Sequence, residues 1–225
     1  MSGKTVRIGC SSGFWGDTSM AAPQLVHGGE IDYLVSDYLA EVTMSILAKA
    51  QAKRPDAGYA TDFVAVTMRG LIRDIAEKGI KVVTNAGGIN PLACRDALQK
   101  LIDEAGVDLT IGVVLGDNLT DRADEFRADR VREMFSGEAF PAEIMSANAY
   151  FGGRPIADAL AQGADIVITG RCVDSAVTLG PLMYEFGWRD EDLDQLAAGT
   201  LAGHIIECGP QCTGGLFTDW QRVGS

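Results

Sequence analysis

The chain reads as an α/β protein with a largely parallel sheet of about six strands and helices on both faces, a Rossmann-like, doubly wound arrangement. Two observations point there. Short apolar runs alternate with helix-length stretches, the pattern of βαβ crossovers between parallel strands. The runs also end repeatedly in Gly-rich turns bearing a carboxylate or an amide, as in Leu109–Leu115 running into Gly116-Asp117-Asn118. In open α/β folds such strand ends gather along the ligand-binding edge. An incomplete β/α barrel is the alternative reading, because the same alternation builds it, but a closed barrel needs about eight strands.

The elements follow in order. Strands are expected near residues 5–10, 32–36, 80–84, 109–115, 143–147 and 165–169, each a short run rich in Val, Ile or Leu bounded by turn residues. Helical periodicity covers 39–53, 62–78, 91–105, 121–135, 155–162, 175–186 and 191–206. In the third of these, Pro91 suits a first turn, Leu92, Leu98, Leu101 and Ile102 form one apolar stripe, and Gly106 closes the helix. The whole chain, 1–225, is read as a single domain, with 209–225 as a loose tail in which Phe217 and Trp220 follow Gly214-Gly215. Apolar residues in such a tail suggest either the N-terminal part of a longer protein or a tail that docks on a partner.

Composition narrows the partners. A formal net charge of −12 disfavours nucleic acid and anionic membrane, which need clustered Lys and Arg. No apolar run approaches the ~20 residues of a membrane-spanning helix. The five cysteines, odd in number and scattered, fit a reduced compartment, so a cytoplasmic location is expected. The sequence names no cofactor.

The motifs carry the chemistry. In Gly9–Asp17, Gly13 and Gly16 leave backbone N–H groups open to an anion, and Asp17 is a carboxylate for proton transfer, metal binding or capping. The glycine spacing matches neither a dinucleotide fingerprint nor a Walker loop. In Thr84–Pro91, Asn85, Gly87 and Gly88 are placed on the ligand side, while Asn90 also caps the following helix. Asp117 and Asn148 end two further strands. In Thr169–Ser175, Arg171 suits an anionic group and Asp174 a base, with Ser175 beside them; the alternative is an Arg–Asp pair and a helix cap. Arg171→Lys is therefore expected to weaken anion binding with little effect on stability. Cys172, without a nearby histidine, reads as core filler. His204, Cys208 and Cys212 have zinc-donor chemistry, but their spacing matches no common zinc motif, so no metal is expected.

Taken together, Gly13–Asp17, Asp37–Glu41, Thr84–Pro91, Thr169–Ser175 and Gly203–Cys208 through Gly214-Gly215 resemble the acyclic terpene utilisation A (AtuA-like) family over nearly the whole chain. The resemblance implies a longer protein of which this is the N-terminal portion, and a role in catabolism of citronellol- or geraniol-like terpenes through acyl-CoA intermediates. It carries over no catalytic residue. The resulting expectation is an enzyme of hydratase or lyase type acting on a small anionic or CoA-linked ligand. Asp17, Asp174 and Arg171 would be its catalytic groups, in a homo-oligomer or with a further C-terminal domain. A non-catalytic binding or assembly subunit is the alternative.

Overall fold

The computed structural model describes residues 3–213. Five strands, β1 (Ile8–Cys10), β2 (Tyr33–Ser36), β3 (Lys81–Thr84), β4 (Ile111–Val114) and β5 (Ile166–Thr169), form one all-parallel sheet in the order β1-β2-β3-β5-β4. The sheet is open, with β1 and β4 at its edges, which excludes a closed barrel among the described residues.

Eight α-helices accompany it: α1 (Ala21–Gly28), α2 (Glu41–Lys53), α3 (Arg69–Lys78), α4 (Pro91–Ala105), α5 (Ala123–Ala128), α6 (Arg154–Ala161), α7 (Ala176–Phe186) and α8 (Leu193–Ile206). A six-residue π-helical stretch, Phe63–Met68, leads directly into α3. Asn90 accepts the Ala93 N–H at the start of α4 with Pro91 in its first turn, and Gly106 ends that helix at φ 66. These are the capping devices its sequence announces.

The central strands are buried on both faces, so successive residues serve two cores. Leu34, Val82, Ile166 and Ile168 pack beneath α1–α4 with Val26, Leu47, Met68, Ile75 and Leu98. Tyr33, Val35, Val83 and Val167 point the other way, to Ile156 and Leu160 of α6 and Ala176 and Val177 of α7. Helices α1–α4, which follow β1, β2 and β3, thus lie on one face, and α6 and α7, which follow β4 and β5, on the other. The chain departs to opposite faces after the neighbouring strands β3 and β5, which opens a crevice between their C-terminal ends.

The structure differs from the sequence reading in four places. The strand expected at 143–147 is absent. Met145 is exposed, Glu143 and Ser146 are polar, and no position is buried on either side, whereas a strand in a doubly covered sheet needs both faces apolar. That segment follows the turn after β4 instead, with Leu119 N–H donating to the Ala147 carbonyl at 2.7 Å. The sheet is accordingly five-stranded, not six. The helix expected over 121–135 stops at Ala128, two residues before Arg130 enters the left-handed region at φ 54. Finally, α1 was not anticipated, and residues 209–213 form a short 3-10 helix with Gly209 and Pro210 buried. The rest of the expected tail, with Phe217 and Trp220, lies outside the described residues.

Candidate functional site

The sheet's ladder continues past the strand ends and carries the polar turns with it. Ser11 N–H donates to the Val35 carbonyl and Asp37 N–H to the Ser12 carbonyl, both at 2.9 Å, which ties the turn after β1 to that after β2. Thr84 Oγ1 donates to the Ser36 carbonyl at 3.1 Å. One residue on, Asn85 Nδ2 donates to Asp37 Oδ1 at 2.6 Å, and its Oδ1 accepts the Tyr38 N–H at 2.7 Å. Asn85 is wholly buried and Asp37 is 2% exposed.

Across the crevice, Gly87 approaches β5 so closely that a Cβ there would lie 2.5 Å from the Thr169 carbonyl oxygen. Gly170 has the same constraint against Asp117, whose carboxylate would clash with a Cβ there. Asp117 Oδ2 accepts the Arg171 N–H at 2.8 Å and Asn148 Nδ2 at 2.9 Å, so Asp117 and Asn148 fix the turn that presents Arg171.

Arg171 is buried at 3% exposure. Its Nη1 donates to Asp174 Oδ1 at 2.7 Å and to the Cys172 carbonyl at 2.8 Å, and the guanidinium lies 4.1 Å from the Tyr150 ring centroid. Glu41 stands 3.8 Å from Nη2. The Arg171 Nε is buried with no partner among the described residues.

The end of α8 completes the edge. Gly203 lets the helix sit against Ser175, where a Cβ would come within 2.7 Å of the Ser175 carbonyl oxygen. Gly13 likewise accommodates the Cys208 backbone. This docking delivers Glu207, and oxygens of Asp37, Asp174 and Glu207 come within 4.8 Å of one another. Asp37 and Glu207 are buried, while Asp174 is 43% exposed at its side chain.

Burial dominates the electrostatics here. It pushes the Asp37 carboxyl up to about 7, helped by the charges of Asp174 and Glu207 and opposed by the Asn85 hydrogen bond. Glu207 is raised by burial, with the Cys208 thiol opposing and Asp174 reinforcing. Burial also lifts the Cys10 and Cys172 thiols to about 12, so both are protonated at neutral pH and Cys172 is core filler.

The sequence-selected residues therefore divide. Asn85, Gly87, Asp117, Asn148, Arg171, Asp174 and Ser175 line or support the crevice. Gly88, at φ 55, turns toward Leu47 and Gly58, and Asn90 donates to the Pro55 and Ala57 carbonyls, so both brace the neighbouring loop. Gly16 takes φ 89 in the first turn, and Asp17 closes that turn by accepting the Gly13 and Thr18 N–H groups at 3.0 and 2.8 Å. Among the described residues, His204, Cys208 and Cys212 form no three-ligand group. Cys208 Sγ is 3.4 Å and His204 Nδ1 3.8 Å from Glu207, and Cys212 is exposed.

The sequence places Asp37 on the ligand edge, with Tyr38 and Glu41 where a buried strand runs into a helix, but assigns it no role; Glu207 is not selected at all. Asp37 carried a usable signal, being the first carboxylate after a fully buried strand, in the position Asn85 holds after β3. Glu207 carried none, because its place depends on where α8 docks.

No curated protein and no solved structure gives a significant match. The model of the family described as acyclic terpene utilisation family protein AtuA matches residues 6–225, essentially the whole chain. The chain belongs to the acyclic terpene utilisation family AtuA.

Proposed function

We propose that the chain acts in acyclic terpene utilisation as a hydratase or lyase, adding or removing water next to the carbonyl of a carboxylated or CoA-linked small molecule. The observation that carries this reading is the convergence of Asp37, Asp174 and Glu207 at the crevice between β3 and β5. Eliminating water requires one group to take a proton from carbon and another to give one to the departing hydroxyl, and the reverse step exchanges the roles. Carboxylates in unlike environments supply both. Asp37, buried and titrating at about 7, is the proton donor, and solvent-facing Asp174, held by Arg171, is the acceptor.

Three clustered carboxylates repel a further anion, so the substrate's reacting carbons face them and its anionic end is held further along the edge by the Gly-rich turns. Arg171 positions Asp174 and offsets the cluster's negative charge.

The test is solvent exchange in deuterium oxide. The chain is incubated with a methyl-branched enoyl thioester, its 3-hydroxy counterpart and the free acids, and deuterium at the α-carbon is followed by mass spectrometry. Incorporation above buffer is expected, with a loss of roughly hundredfold or more in Asp174→Asn. Binding of these compounds without exchange would instead support a non-catalytic binding subunit.

A further inference from the structure

A second polar site is lined by Tyr38, the residue after Asp37 of the carboxylate cluster. The turn after β1, the start of α1 and the π-helical stretch enclose a cavity of about 110 Å³, lined by Ser12, Asp17, Ser19, Tyr38, Asp62 and Thr67 among others. Its polar lining offers oxygen donors alone: hydroxyls and two carboxylates, with no lysine, arginine, histidine or cysteine. Asp62 Oδ1 is buried and has no hydrogen-bond partner among the described residues. Such an oxygen costs free energy unless something supplies positive charge or a donor, and an orphaned buried acceptor calls for a bound water or ion.

The π-helical stretch explains how the cavity arises. Its wider turn follows Asp62 directly and brings Val66 and Thr67 to the cavity wall, and π-turns of this kind are frequent at functional sites. Asp17 faces the same space while its carboxylate holds the Gly13 and Thr18 N–H groups, which fixes its orientation.

We propose that this cavity binds a calcium-like divalent cation through Asp17 and Asp62, with the Thr67 hydroxyl as a further oxygen donor. Hard oxygen donors and the absence of nitrogen and sulfur select against zinc and copper. Calcium accepts six to eight oxygens in flexible geometry, whereas magnesium demands a strict octahedron. A water occupies ~30 Å³ in the liquid, so the space holds one ion with a few waters.

Terbium luminescence sensitised by Tyr38, together with calcium-dependent thermal unfolding of the full chain, tests this. Calcium is expected to raise the unfolding midpoint saturably and to displace terbium. Asp62→Asn and Asp17→Asn should each weaken calcium binding at least about tenfold, and Asp174→Asn should leave it intact. An Asp62→Asn midpoint in EDTA equal to that of the parent shows that its fold is preserved. Thr67→Val, which keeps the side chain's shape, gives a second reading with a smaller loss. Binding abolished by Asp174→Asn but kept by Asp62→Asn would place the ion in the carboxylate cluster and overturn the proposal. So would the absence of any calcium response, which leaves the cavity to water. Neither result bears on the exchange reaction, whose test uses no added metal.

Discussion

Asn85 holds Asp37 from the neighbouring strand end: its amide nitrogen donates to Asp37 Oδ1 at 2.6 Å, and its amide oxygen accepts the N–H of the next residue, Tyr38, at 2.7 Å. A single side chain thereby fixes both the carboxyl and the backbone that carries it. Because it sits where β3 and β5 send their chains to opposite faces, the relationship belongs to the crevice as well as to the turn.

Asn85→Ala orphans the buried Tyr38 N–H and removes the donor that favours ionised Asp37. A stability loss of about 1–3 kcal/mol is expected by urea denaturation. The Asp37 carboxyl should also titrate higher than in the parent, visible by carboxyl-labelled NMR. An unchanged denaturation midpoint would show that water replaces the amide without cost.

Gly203→Ala tests whether α8 belongs to the site. A methyl group there meets the Ser175 backbone at 2.7 Å, and backbone gives way poorly. A loss of about 1–3 kcal/mol is expected, with Glu207 drawn away from Asp37. The Asp37 titration should then fall, since the Glu207 charge contributes to raising it. A destabilised protein with an unmoved Asp37 titration would separate α8 packing from the site's electrostatics.

Much of the sheet was legible because buried parallel strands are continuous apolar runs, and all five that form were found by that signature. The segment at 143–147 imitated it with Ile144 and Met145 but lacked a second apolar face. The turns Thr84–Pro91 and Thr169–Ser175 declared themselves by glycines that the structure shows to be close-approach positions, Gly87 against Thr169 and Gly170 against Asp117. Which polar side chains meet was less readable. Asp17 and Asp37 look alike in the sequence, yet one closes a turn and the other is buried in the crevice. That difference is set by tertiary packing, as is the arrival of Glu207 from a helix end more than 160 residues away in the chain.

Arg171→Lys tests the expectation, read from the sequence, that the change has little effect on stability. Buried at 3% exposure, the guanidinium bridges Asp174 and the Cys172 carbonyl and stacks over Tyr150. Lysine keeps the charge but cannot meet these partners with one planar fork. A cost of about 2–4 kcal/mol is expected from chemical denaturation. A change within about 0.5 kcal/mol would show that lysine serves these partners as well and uphold the stability-neutral expectation.

The last expectation follows from proton linkage at Asp37. Its carboxyl titrates near 7 in the folded chain, against an ordinary value of 3.8. Between those limits the folded state holds a proton that the unfolded chain has released, so folding binds protons and this group's contribution to stability falls as pH rises through that window. Below about 4 the contribution is fully present, and above 7 it is lost. The slope from one such group reaches about 1.4 kcal/mol per pH unit. Asp37→Asn cannot titrate, so the parent minus variant difference in unfolding free energy should decline from pH 5 to 7 and flatten above. Taking the difference largely cancels the raised titration of Asp117, while Glu207, whose charge acts on Asp37, titrates lower once Asp37 is neutral and adds a smaller change to the difference. A difference that stays flat across the window would mean that Asp37 is ionised throughout, and Asp37 could not then be the proton donor of the proposed reaction.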